Sequence, residues 1–147
     1  MVAPLSSESE FIKVLTHEMG HSIDVEHFVA GALRSDVSQD FYAISWLDTT
    51  IKRKGQTVHH FVSGYAMTNK YEDFAETLSM FVFHNREFSL RASKNPILEQ
   101  KYNFMAEQVF VAPAFTGTSF EITAMDPYIW DTTKVAILTS NYLRYIR

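Results

Sequence analysis

The 147-residue chain contains no cysteine, so no disulfide framework braces it, no thiol chemistry operates in it, and either redox compartment is tolerable. No run of eighteen apolar residues occurs, so no helix is expected to span a membrane. The N-terminus lacks the basic-then-apolar form of a signal peptide. Positive charge is in deficit, with 13 Lys and Arg against 17 Asp and Glu and a formal net charge of −4. There is no basic stripe, which argues against nucleic acid as the main partner. The short cluster Lys52-Arg53-Lys54 before Gly55 reads as a solvated turn. Neither an internal repeat nor a low-complexity segment is present, and the sequence gives neither the compartment nor the oligomeric state.

What is present is enough for one packed domain over residues 1–147: 46% of residues are hydrophobic and 14% aromatic. The pattern is mainly α. Helices are expected at about Ser9–Val29, Ser38–Asp48, Asn69–His84 and Pro96–Val109, with Asn95 capping the last and Pro96 at its first position. Beyond Phe110, Pro113, Gly117 and Asp126-Pro127 punctuate an irregular stretch with a short strand expected near Phe120 to Thr123. From Thr133 the spacing of Val135, Leu138, Tyr142 and Tyr145 predicts a final amphipathic helix. His84, near a helix end, is expected to place charge at the negative dipole pole.

The most informative run is His17-Glu18-Met19-Gly20-His21. Residues at i and i+4 share a helix face, so both imidazoles can address one ion. The segment has helical signals: Ser7 can cap it with Glu10 reaching back, and Glu8 and Glu10 suit the positive dipole end. Glu18, rotated about 100° from His17, lies close to such an ion without being obliged to bind it. Gly20 costs helix propensity but admits a close neighbour. Asp24, one turn beyond His21, and Glu76 are candidates to accept the second ring N–H of the histidines.

A catalytic zinc site needs a third protein ligand. The nearer candidate is His27, because His17 to His27 reads HExxHxxDxxH, close to the metzincin signature HExxHxxGxxH. Asp24 stands where metzincins use glycine to turn the chain. If the helix continues to about Val29, His27 lies roughly 15 Å along the axis from His17. The farther candidate is Glu72, paired with Glu76 at i,i+4 on a helix that Thr68 or Asn69 can cap. Two acids so stacked repel unless a cation lies near them. His59 and His60, on the connection from Gly55 to Gly64, are either exposed or an alternative ligand set or groove lining.

HEMGHSID at His17 to Asp24 and YAMTNKYEDFAE at Tyr65 to Glu76 resemble the HE-x-GH-x-x-D and Y-x-x-TN-x-x-E-x-FAE motifs of one group. It comprises the catalytic domain of anthrax lethal factor and related secreted bacterial zinc peptidases, including the Pro-Pro endopeptidases. The family-like stretch runs over residues 8–110, leaving 111–147 as a C-terminal extension. The resemblance implies a zincin-like domain holding one Zn²⁺ through His17, His21 and Glu72. It also implies a peptide or protein substrate, hydrolysis by a zinc-activated water with Glu18 as general base, and Tyr65 stabilising the oxyanion. Secretion is suggested by the resemblance alone.

Zincins normally place a substrate-binding sheet before the metal helix, whereas sixteen residues precede His17 here. The sheet is therefore expected to be reduced or missing in this chain, either because the chain is a C-terminal piece of a larger protein or because the sheet has been lost or replaced. Four readings follow: a zinc endopeptidase using Glu72, a metzincin-like peptidase using His27, a zinc-bound binding or toxin-accessory module without turnover, and a purely structural helical domain.

Overall fold

The computed structural model describes residues 8–24, 37–110, 126 and 128–137. Among the described residues, five helices order as α1 (Glu8–Ser22), α2 (Ser38–Ser45), α3 (Lys70–Phe83), α4 (Asn85–Ala92) and α5 (Pro96–Phe104). Short 3-10 turns lie at Val58–His60, Tyr65–Met67 and Thr132–Lys134, and α5 widens into π-type turns over Met105–Val109. Among the described residues the only strand-like pairing is an isolated antiparallel bridge between Trp46 and Lys52. The architecture is thus mainly helical, as the apolar periodicity predicts.

α3 is the centre of the fold. From Asp73 to Phe81 every residue is buried, which is how a helix surrounded by protein on all sides reads. Its start is fixed by Asn69, whose side chain accepts hydrogen bonds from the backbone N–H groups of Tyr71 (2.9 Å) and Glu72 (3.0 Å). α5 starts likewise: Asn95 accepts from Ile97 and Leu98, and Pro96 occupies the first turn. Phe41 of α2 packs edge-to-face on Phe74 and Phe104, at 5.1 and 5.3 Å between ring centroids, joining α2, α3 and α5.

α1 lies against α3 at a glycine. A Cβ built on Gly20 would stand 2.9 Å from the Cα of Ala75, a backbone atom that cannot yield. The propensity cost of Gly20 therefore permits the close approach that brings the histidine face of α1 over the acidic face of α3.

Several boundaries differ from expectation. Regular α1 ends at Ser22 and passes into a π-type turn at 23–24; residues 25–29 of the expected helix lie outside the described residues. α2 stops at Ser45, not Asp48, because Trp46 turns extended and its indole N–H donates to Asp73 at 2.8 Å. α4 is not evident from periodicity: its inward face consists of Asn85, Phe88 and Ala92, too few apolar positions to form a stripe. The expected strand near 120–123 lies outside the described residues. The final helix does not begin at Thr133; Val135 is extended, and 138–147 lie outside the described residues.

His84 is the clearest correction. It does cap α3, but it is only 1% exposed. Burial, reinforced by the positive charges of Lys13 and Arg91, pushes its pKa down to about 4. It is neutral at physiological pH and contributes no charge to the dipole. Below the unfolded pKa of 6.5, unfolded chains take up a proton that the folded protein refuses until about pH 4. Stability should therefore fall with pH across that window, by about 3 kcal/mol from this group. Denaturant titrations of metal-free protein at pH 7 and 4.5 should show a drop that His84→Phe reduces; an unchanged pH slope in the variant would refute this source.

Candidate metal centre

α1 supplies two imidazoles and α3 one carboxylate to a single point. His17 Nε2 lies 3.1 Å from Glu72 Oε2, and His21 Nε2 lies 3.4 Å from the same oxygen. One donor atom from each of the three falls within a 4.8 Å group, the arrangement a metal ion can share. A tetrahedral zinc with arms of about 2.0–2.1 Å has ligand–ligand edges of about 3.3–3.4 Å, close to the two distances from the histidines to Glu72 Oε2. The three donors are not equally enclosed. His17 is buried, while the side chains of His21 and Glu72 are 29% and 17% exposed, so the group opens to solvent on their side.

Behind the group stands Glu76, one turn after Glu72 and fully buried. Its Oε1 lies 3.0 Å from His17 Nδ1. With the Nδ1–H tautomer, His17 donates there and presents the Nε2 lone pair towards Glu72 and His21. The i,i+4 acid pair is therefore divided in role: Glu72 faces the shared point, and Glu76 holds the ring behind it. Burial alone would lower the His17 pKa, but the Glu76 hydrogen bond and charge, with Glu72 and Glu18, outweigh it and raise the value. The pocket has an excess of negative charge that a divalent cation would balance.

Tyr65 sits on the 3-10 turn before α3, its ring stacked 5.9 Å from that of His17. Burial raises its pKa, and the charge and hydrogen bond of Glu72 raise it further, so the phenol keeps its proton and can donate. Glu18 is exposed on α1 between the two histidines.

The remaining candidates are not gathered here. Asp24 is buried, and its carboxylate accepts from the hydroxyl of Tyr42, while Ser38 donates to its backbone carbonyl at 3.3 Å. It ties the end of α1 to α2. His59 and His60 use their carbonyls to receive Asn95 Nδ2 and Lys101 Nζ, and neither ring joins the metal group. His27 lies outside the described residues. Two participants gave no sequence signal: Ser63, which donates to Glu76 at 2.5 Å, and Thr132, which donates to it through both backbone N–H and hydroxyl at 2.9 Å.

A family model described as "Putative zinc-binding metallo-peptidase" matches residues 4–116. Comparisons with curated proteins and with solved structures give no match. The matched stretch contains α1 to α5 and with them all three members of the metal group. The chain therefore belongs to this family of zinc-binding metallopeptidases, and His17, His21 and Glu72 are its candidate ligands.

Proposed function

We propose that the chain is a zinc endopeptidase of the lethal-factor type, with His17, His21 and Glu72 holding the ion, Glu18 moving protons and Tyr65 stabilising the oxyanion. The observation that carries this reading is the convergence of three donor atoms from two helices within 4.8 Å of one another, with a buried carboxylate on the far side of His17. The motifs HEMGHSID and YAMTNKYEDFAE, which supply every one of these residues, support it.

When bound, zinc lowers the pKa of water towards neutrality and polarises a carbonyl oxygen. Glu18, exposed next to the ligands, accepts the water's proton as the nucleophile adds to the peptide carbonyl, and then delivers it to the departing amine. Tyr65, held as a neutral phenol, donates a hydrogen bond to the oxygen on which charge develops. Glu76 fixes the ring plane of His17 throughout.

The test is direct. Purified protein should carry one zinc per chain and cleave members of a diverse peptide library; chelation should abolish cleavage and added zinc restore it. Glu72→Ala should reduce zinc stoichiometry at micromolar free zinc while retaining helical content. Undiminished zinc binding by that variant would remove Glu72 from the ligand set and return His27 to consideration.

A further inference from the structure

Glu76 is a carboxylate with no exposure to water, and a buried carboxylate is tolerated only when its lone pairs are occupied. Four groups occupy them: His17 Nδ1 at 3.0 Å, Thr132 Oγ1 at 2.9 Å, Ser63 Oγ at 2.5 Å and Thr132 N at 2.9 Å. Two of the four come from one residue, Thr132, itself only 2% exposed. The geometry leaves the carboxylate one orientation, and that orientation sets the ring of His17.

Thr132 belongs to a segment outside the 4–116 stretch matched by the family model. This segment is bound to the core along its length. The carbonyls of Ile129 and Trp130 accept from the backbone N–H of Gly64 and Tyr65 at 2.8 and 2.6 Å. The carbonyl of Val135 accepts from the buried Lys13 of α1 at 2.8 Å. Asp131 shapes the turn by accepting from the Thr133 N–H at 2.8 Å and its hydroxyl at 2.6 Å. The same strap thus touches the backbone of the phenol-bearing turn, the metal helix, and the carboxylate between them.

We propose that Thr132 is a positioning residue of the metal centre: its hydroxyl and N–H fix Glu76, which holds His17 in the Nδ1–H tautomer and ring orientation that present Nε2 to the ion. The proposal rests on the zinc-site reading above and adds a residue that reading does not contain. Groups bonded directly to a ligating histidine, as Glu76 is to His17, change metal affinity by about 10–100-fold when removed, and Thr132 acts through that carboxylate, one step further out.

Thr132→Val keeps the shape and the backbone N–H but removes the hydroxyl. In the whole 147-residue chain, zinc affinity measured by competition with a chromophoric chelator should fall several-fold, up to about tenfold. Thr132→Ser should restore most of the loss, and Ser63→Ala should reproduce it in part. Long-range ¹H–¹⁵N spectra of metal-free protein, recorded at a pH above the raised His17 pKa so that the ring is neutral, should show His17 as the Nδ1–H tautomer in wild type and a mixture in Thr132→Val; a packing role alone would leave the tautomer unmoved. Wild-type zinc affinity together with an unchanged tautomer in Thr132→Val overturns the proposal. So does a loss that Thr132→Ser fails to repair. If wild type binds no zinc, the zinc-site reading fails, and the tautomer comparison still decides whether Thr132 positions His17.

Discussion

Glu18→Gln should keep its zinc and lose about 10²- to 10⁴-fold in peptide hydrolysis, the range that a positioned proton-transfer group contributes. The amide has nearly the shape of the carboxylate but cannot take a proton. The ligand group consists of His17, His21 and Glu72, so the substitution leaves every donor atom in place. Helix packing should also survive, since Glu18 is exposed and takes no part in the close approach of α1 to α3 at Gly20 and Ala75. Metal analysis, thermal denaturation and kcat measured on one preparation separate the possibilities. Retained zinc and Tm with lost kcat support Glu18 as the proton carrier, whereas wild-type turnover would sink that role. Zinc bound without turnover even in wild type would instead favour the binding-module reading. Tyr65 should behave differently: Tyr65→Phe keeps the ring stacked on His17 and removes only the donor, so a smaller loss confined to kcat is expected.

Much of the site was legible because its chemistry is local. The i,i+4 histidines, the acid between them and the i,i+4 acids of α3 are each written within one helical segment, and Asn69 and Asn95 mark helix starts by capping in the ordinary way. Gly20 was legible too, as a residue that a helix would not keep without a close neighbour. What the sequence could not show is pairing across long separations. Thr132 reaches Glu76 over 56 positions, from just before the stretch whose apolar spacing suggested a helix, and a threonine carries no signal of its own. Asp24 is correctly polar and correctly one turn from His21, but its carboxylate receives Tyr42 from α2, a partner no local pattern announces. His84 misled because position near a helix end suggests exposure. Its neighbours on α1, α4 and the strap enclose it instead, and enclosure decides the sign of the pKa shift.

Lys101 is the other residue whose environment inverts the usual expectation, and Lys101→Met should cost about 3–5 kcal/mol of stability, a lowering of Tm by about 10 °C or more for a chain of this size. Lys101 is wholly buried and donates to both oxygens of the equally buried Asp73, at 2.9 and 2.7 Å, and to the His60 carbonyl at 3.0 Å. Burial pushes Lys101 down and Asp73 up, each against the pull of the other's charge, so the pair is held by geometry as much as by Coulomb attraction. Methionine fills the volume but leaves Asp73 with only Trp46 Nε1 at 2.8 Å and Thr77 Oγ1 at 3.4 Å. An isolated buried carboxylate then escapes its charge by taking a proton. Its folded pKa rises further above the unfolded value of 3.8, so the stability deficit should be small near that pH and grow as pH rises towards the raised folded pKa. Asp73→Asn in the Lys101→Met background removes the stranded charge while keeping an acceptor for Trp46, and should recover a large part of the loss. A single variant as stable as wild type at pH 7, or a deficit that shrinks with rising pH, would show that the ion pair does not hold α3. The consequence reaches the metal centre, because Asp73 follows Glu72 directly. The pair anchors α3 on a face about 100° around the helix from the ligand, and loosening it should weaken zinc binding without touching a donor atom.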